Sequence, residues 1–324
     1  MNFTTYKRFV FLSVFILLCG HLASVSAQLG GLGGLGDKLK KKTPNISSLL
    51  EGDPPITTSL PDAKWGDASK DGFTPREAER SLMTLQRTPN GGFVLQPGYY
   101  SFHDQSYCLK AGTHGPGGGD GYLYAPPKGP AEDAVMTIVR NSVNHPEIHQ
   151  HDIQLLLWAI IARAKFEDLS SELKATAARL LTPRQLAALN RTALDAVPGS
   201  VQQAAINKAP SGVREVLNAE AKLRQMLTST GSTFAEIERV AVLSGDAPRG
   251  EGSIEVPSGR WSVHPDGYYV RYIPSGYSST RVEIWVPQGS PAVGKEYDPA
   301  THIAVPGNTA RQRLIQSGRP QQEQ

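Results

Sequence analysis

Residues 153–162 read Ile-Gln-Leu-Leu-Leu-Trp-Ala-Ile-Ile-Ala. As a helix this run leaves almost no polar face, so it has to be covered on every side. It is also too short for a bilayer crossing, which takes about 20 apolar residues. Whatever the chain folds into must therefore wrap around this segment. Asp152 is a natural N-cap for a helix over residues 153–165. That cap would place Gln154, the one polar side chain among the first apolar residues, in the first helical turn.

The second constraint is cysteine. The chain has two, Cys19 and Cys108. Lys7 and Arg8, an apolar stretch over residues 9–18 and the small residues Val25-Ser26-Ala27 read as a secretory signal over residues 1–27. Cleavage before Gln28 removes Cys19 and leaves Cys108 with no internal disulfide partner. A lipoprotein with Cys19 as the lipid-bearing residue is disfavoured, because Leu18 precedes it where a small residue is expected. The localisation read from this is export, to the periplasm, cell surface or medium. The core must carry stability without disulfides. Removing Lys7 and Arg8 from the 33 basic side chains leaves 31 against 30 acidic ones. A near-neutral chain gives no argument for nucleic acid, and at most peripheral contact with a membrane.

Along the chain, residues 28–90 read as a flexible Gly/Pro/Lys-rich leader, with a short helix over residues 74–85 capped by Thr74 and started by Pro75. Residues 91–250 read as a helix-rich domain. Short strands around Phe93 and residues 99–109 surround Cys108. Capping-box spacings at Thr182–Gln185 and Thr233–Glu236 start two of its helices. Residues 251–307 alternate apolar and polar side chains, as in Val282, Ile284 and Val286, and read as a small β module. Tyr268, Tyr269, Tyr272, Tyr277 and Trp285 there suit either a partner surface or ordinary sheet packing. Residues 308–324 read as a flexible tail. The expected fold class is α+β: a central helical region, short strands around Cys108, and a small C-terminal antiparallel β module.

The candidate chemistry joins Cys108 to Gln154. A thiolate can attack a glutamine carboxamide and expel ammonia, leaving an internal thioester. The pair must touch, the thiol must lose its proton, and water must be kept out. Gln154 at a helix start would meet the positive end of the helix dipole. Trp158, one turn further on, shares its face and would shield the bond. The Gly-rich loop over residues 115–121 would let a nucleophile approach.

Tyr107-Cys108-Leu109 with Ala111-Gly112, followed by Gln154-Leu155-Leu156-Leu157-Trp158, resembles the bacterial thioester domain of surface adhesins over roughly residues 99–165. That family has a Tyr-Cys-Ile/Leu motif and a Gln four residues before a Trp in an apolar helix. The resemblance implies Cys108 as thioester thiol and Gln154 as acyl donor, supported by Tyr107, Asp152 and Trp158. It implies single-turnover capture of an amine or hydroxyl on a surface protein or glycan rather than catalysis, with no cofactor. The chain departs from the pattern at Ile153, where the family has Thr, and at Leu156, where it has Ala.

Two other readings stand beside this one. In the first, Cys108 is a small buried hydrophobe in a structural or interaction protein of the envelope. In the second, Cys108 is the nucleophile of a cysteine hydrolase with His103, His114, His264 or His302 as base. The run from His145 to Asp152 holds three imidazoles and two carboxylates without a zinc-site spacing, and no metal is assigned to it.

Overall fold

The computed structural model describes residues 54–194 and 197–321. The expected signal peptide, the leader up to residue 53 and the last three residues lie outside the described residues. The described chain is organised by β3 (Gly98–Cys108), eleven residues long and buried throughout except at His103. Tyr99, Tyr100, Phe102 and Tyr107 suit a strand covered on both faces. One edge of β3 pairs antiparallel with β9 (Ser279–Val286). Its other edge pairs parallel with β1 (Glu79–Ser81) and then antiparallel with β12 (Leu314–Pro320).

The sheet continues on both sides. Beyond β12 come β11 (Ile303–Pro306) and β5 (Tyr122–Ala125). Beyond β9 come β8 (Tyr269–Pro274) and β7 (Ser262–Val263). The two ends curl toward each other. The Tyr124 amide donates to Ser262 Oγ at 3.0 Å, and the Tyr124 ring packs 4.9 Å from His264. The result is an eight-stranded, barrel-like sheet that nearly closes, with two small pairs outside it: β2 (Phe93–Val94) with β10 (Glu296–Tyr297), and β4 (Thr113–His114) with β6 (Val242–Leu243). Such closure leaves little open edge to pair with other chains.

This corrects the expected α+β arrangement of a helical centre with short strands and a separate C-terminal β module. The large sheet dominates, and β8, β9 and β12 belong to the same sheet as Cys108. Residues 314–320, read as tail, form a buried strand. Two of its polar side chains bond across the fold: Ser317 donates to the Gln105 carbonyl, and Arg319 to the carbonyls of Pro146 and Ile148. The helix expected over residues 74–85 is replaced by β1 and a short 3-10 turn over Leu82–Thr84. Pairing with β3 takes this segment, with Arg80 stacked on Tyr100. Tyr268, just before β8, and Tyr272, within it, are both fully buried.

The helices among the described residues are α1 (Glu132–Ser142), α2 (Gln150–Ile161), α3 (Ser171–Leu180), α4 (Pro183–Arg191), α5 (Gly199–Lys208), α6 (Ser211–Thr228) and α7 (Phe234–Ala241). Thr182 and Thr233 form full capping boxes with Gln185 and Glu236. Helix α2 contains the apolar run that begins at Ile153. It meets β3 on one side and α1, α3, α6 and α7 around the rest. Leu156, Leu157, Trp158 and Ile160 are buried along it, each contributing about 1.5–3 kcal/mol relative to exposure. That sum leaves α2 no stable position at a surface. No helix among the described residues is long and apolar enough to cross a membrane.

Candidate functional site

Cys108 is the last residue of β3, directly opposite Leu314 of β12. Its thiol is free and fully buried. The neighbouring amide of Leu109 donates toward β12, to the Arg313 carbonyl. The N–H and C=O of Cys108 therefore face the other edge of β3. Strand β9 covers that edge only as far as the bond from the Ser106 amide to the Ser278 carbonyl. Beyond it, two buried-strand groups would be orphaned.

Helix α2 supplies what β9 does not. The Gln154 side chain accepts from the Cys108 amide through Oε1 at 2.8 Å and donates to the Cys108 carbonyl through Nε2 at 3.1 Å. One turn earlier, Gln150 Nε2 donates to the Ser278 carbonyl at 2.6 Å and the Ser106 carbonyl at 3.2 Å. The two glutamines, four residues apart on one helix face, extend the strand's pairing with side-chain amides. Cys108 and Gln154 are thus brought into contact, through the backbone of one and the carboxamide of the other. Gln154 is itself buried.

The helix start differs from expectation. Helix α2 begins at Gln150, with His149 at the N-cap making no side-chain cap bond. Asp152 is the third helical residue and not the cap. Ile148 and Ile153, on either side of the start, are both buried, the positions of a hydrophobic staple that sets an earlier beginning. Gln154 is therefore the fifth helical residue, past the unpaired amides of the first turn. The helix dipole gives it little support.

Trp158 lies one further turn along the same face and is fully buried. Its ring stacks 5.8 Å from Phe234 of α7 and lies 6.4 Å from Tyr277. The three rings pack together on that side of α2. Glu238, which the sequence did not single out, and Tyr277, read there only as a sheet aromatic, stand near Cys108. The Tyr277 hydroxyl donates to the Glu238 carboxylate. Glu238 acts electrostatically on the thiol, and the thiol acts on Tyr277. Burial first, and then the Glu238 charge, push the Cys108 thiol well above its ordinary range. No periodicity links residues 238 and 277 to 108, so only the fold could reveal them.

Tyr107 points to the opposite face of β3, since successive strand residues alternate. Its hydroxyl donates to Gln105 Oε1 at 3.2 Å, and burial raises its pKa. It does not stand beside the sulfur. The Gly-rich loop is fastened: Arg311 donates to the Gly115 carbonyl at 2.7 Å and pairs with Asp120 at 2.7 Å. Among the described residues no hydrogen bond joins a histidine to Cys108. His302 is bound to Tyr268 and to the Asp298 carbonyl, and His145 pairs with Glu147 and Arg179.

Gly112, next to the cysteine motif, has φ +64°, and a Cβ there would lie 2.7 Å from Ala219 Cβ on α6. Gly112→Ala is expected to lower stability by about 2–4 kcal/mol, combining left-handed strain with overpacking. A urea titration of both proteins checks this. Comparison of the chain with family models, with curated proteins and with solved structures finds no match.

Proposed function

We propose that this chain is an exported covalent-capture protein whose reactive bond is a thioester between Cys108 and Gln154. The observation that carries the reading is the buried contact between the Gln154 carboxamide and Cys108. Closure forms the bond from Sγ to Cδ of Gln154 and breaks the bond from Cδ to Nε2. The thiol proton leaves with that nitrogen as ammonia. An amine on a surface protein or glycan then attacks the same carbon, forming an amide and returning the thiol. The residues around the pair bear on two of the requirements. Trp158, Phe234 and Tyr277 exclude water from the bond. The Tyr277–Glu238 pair is the nearby acid–base couple through which the thiol proton can move, since no cation acts on the thiol.

A second reading rests on a specific observation: both ends of the Gln154 carboxamide are already satisfied by the Cys108 backbone. In it, Gln154 is an edge clamp and Cys108 is inert. Intact mass of the mature protein, prepared without amines, separates the two. The capture reading expects a mass lower by one ammonia, a shift that is absent in Cys108→Ala and replaced by an adduct when methylamine is added. An unmodified mass, with methylamine leaving no adduct, would overturn capture and leave the clamp.

A further inference from the structure

One residue beyond the cysteine, the chain enters the wall of a cleft of roughly 650 Å³. The segment from Leu109 to His114 forms one side and α6 another. Ile56, Leu109, Ile161, Val213 and Leu217 make much of the lining apolar. Lys110, Thr113, Arg163 and Glu220 stand among its polar residues. None of the four has a part in the Cys108 site.

Each polar group is unusual. Arg163 is the one non-glycine residue with positive φ among the described residues, at 52°. This conformation follows directly on the end of α2, and strain of that kind persists only where surrounding contacts hold it. The Arg163 guanidinium lies 3.9 Å from the Glu220 carboxylate. The Thr113 hydroxyl is buried without a hydrogen-bond partner, and Thr113 is only 5% exposed. Among the described residues no hydrogen bond or ion pair reaches the Lys110 ammonium. Glu220 attracts it electrostatically, but that carboxyl also serves Arg163 and Arg224. Excess positive charge held away from water is costly. Either the ammonium gives up its proton or an anion joins it.

We propose that this cleft binds a small carboxylate with an apolar body, the carboxylate seated on Lys110 with the Thr113 hydroxyl as second donor. The apolar lining takes the body, and the two unpartnered donors take the head. A charge-assisted bond to a carboxylate is among the stronger polar contacts available. Burial, and then the nearby Arg313, push the Lys110 ammonium down to about 7 against the pull of Glu220. Burial lifts the Glu220 carboxyl to about 7 as well, against the pull of Arg163, Arg224 and Lys110 itself. Lys110 is thus charged, and Glu220 protonated, on the acid side of neutrality. Both changes favour an anion there and disfavour it as pH rises. The other charged or titratable groups on the lining are His114, Glu215 and Glu251. Glu215 and Glu251 are solvent-exposed, where salt and water screen them.

The test is calorimetric titration of the mature chain with octanoate, and with octylamine as the apolar control of opposite charge. Octanoate is expected to bind, octylamine not. Octanoate affinity should fall about tenfold or more between about pH 6 and pH 8.5, with proton uptake on binding near neutrality. Lys110→Met should weaken binding about tenfold or more, the value of a charged hydrogen bond, and flatten much of the pH dependence. Glu220→Gln should tighten it. Lys110→Met removes a desolvated charge without breaking any hydrogen bond seen among the described residues, so it is expected to fold, and its thermal midpoint verifies that. Equal binding of octylamine would overturn the proposal. So would no binding of octanoate, or an unchanged affinity in folded Lys110→Met. None of these outcomes depends on the bonding state of Cys108.

Discussion

Gln154→Leu is expected to destabilise the fold by about 2–6 kcal/mol. The substitution keeps volume and apolar packing but strips the Cys108 amide and carbonyl of their only partners on that edge. Each orphaned buried group costs about 1–3 kcal/mol. Cys108→Ala removes one buried atom and leaves both bonds to Gln154 in place, so about 1 kcal/mol is expected there. Urea titrations of the two variants measure the contrast. A loss below about 1 kcal/mol in Gln154→Leu would mean that the carboxamide does not hold the strand edge. The two proposed roles of Gln154 also compete. Thioester closure removes Nε2, so the Cys108 carbonyl loses its donor while the acyl oxygen remains to accept from the amide. The closed form therefore gives up one of the two clamp bonds. Capture by an amine puts a nitrogen back on that carbon and can restore the bond, which makes opening favourable beyond the chemistry of the thioester itself.

The part of this arrangement that the sequence made legible is local. The burial of α2 followed from its missing polar face, and the helices at Thr182 and Thr233 followed from capping spacings that satisfy their own first amides. The pairing of Gln154 with Cys108 was suggested by residue types in a familiar spacing. The sheet was illegible for two physical reasons. Strand β3 is covered on both faces, so it lacks the alternation that marks a half-buried strand. Its partners β9 and β12 are far away in sequence, and nothing local sets their register. Residues 314–320 failed differently. Gln316, Ser317 and Arg319 look like solvent-loving tail, yet all three are buried. The start of α2 moved because the apolar positions Ile148 and Ile153 outweighed the capping preference of Asp152.

Asp104→Asn is expected to convert a pH-dependent stability into a flatter one. Asp104 lies on β3, fully buried, where its carboxyl meets the bulge that β12 makes between Gln316 and Pro320. The Gly318 amide donates to it at 2.9 Å and the Ser317 amide at 3.2 Å. Burial outweighs these donors and pushes the carboxyl from its ordinary 3.8 up to about 8. A carboxyl whose pKa is higher folded than unfolded binds its proton more tightly when folded. Its contribution is complete below about pH 4 and is lost as pH rises through about 8. The slope reaches about 1.4 kcal/mol per pH unit within that window. Burial holds His264 down to about 4 and His302 well below its ordinary value, so these two add stability as pH rises toward 6.5 and mask Asp104 in the wild type alone. The difference between wild type and Asp104→Asn cancels them. In urea titrations from about pH 5 to pH 8.5, the variant should be the weaker protein at the acid end, since its amide nitrogen faces the Gly318 donor. The gap should close or reverse toward the alkaline end. A gap constant across that range would mean the carboxylate stays ionised in the fold. The bulge of β12 would then be an anion-binding turn held by the Gly318 and Ser317 amides, with Arg87 as its counter-charge.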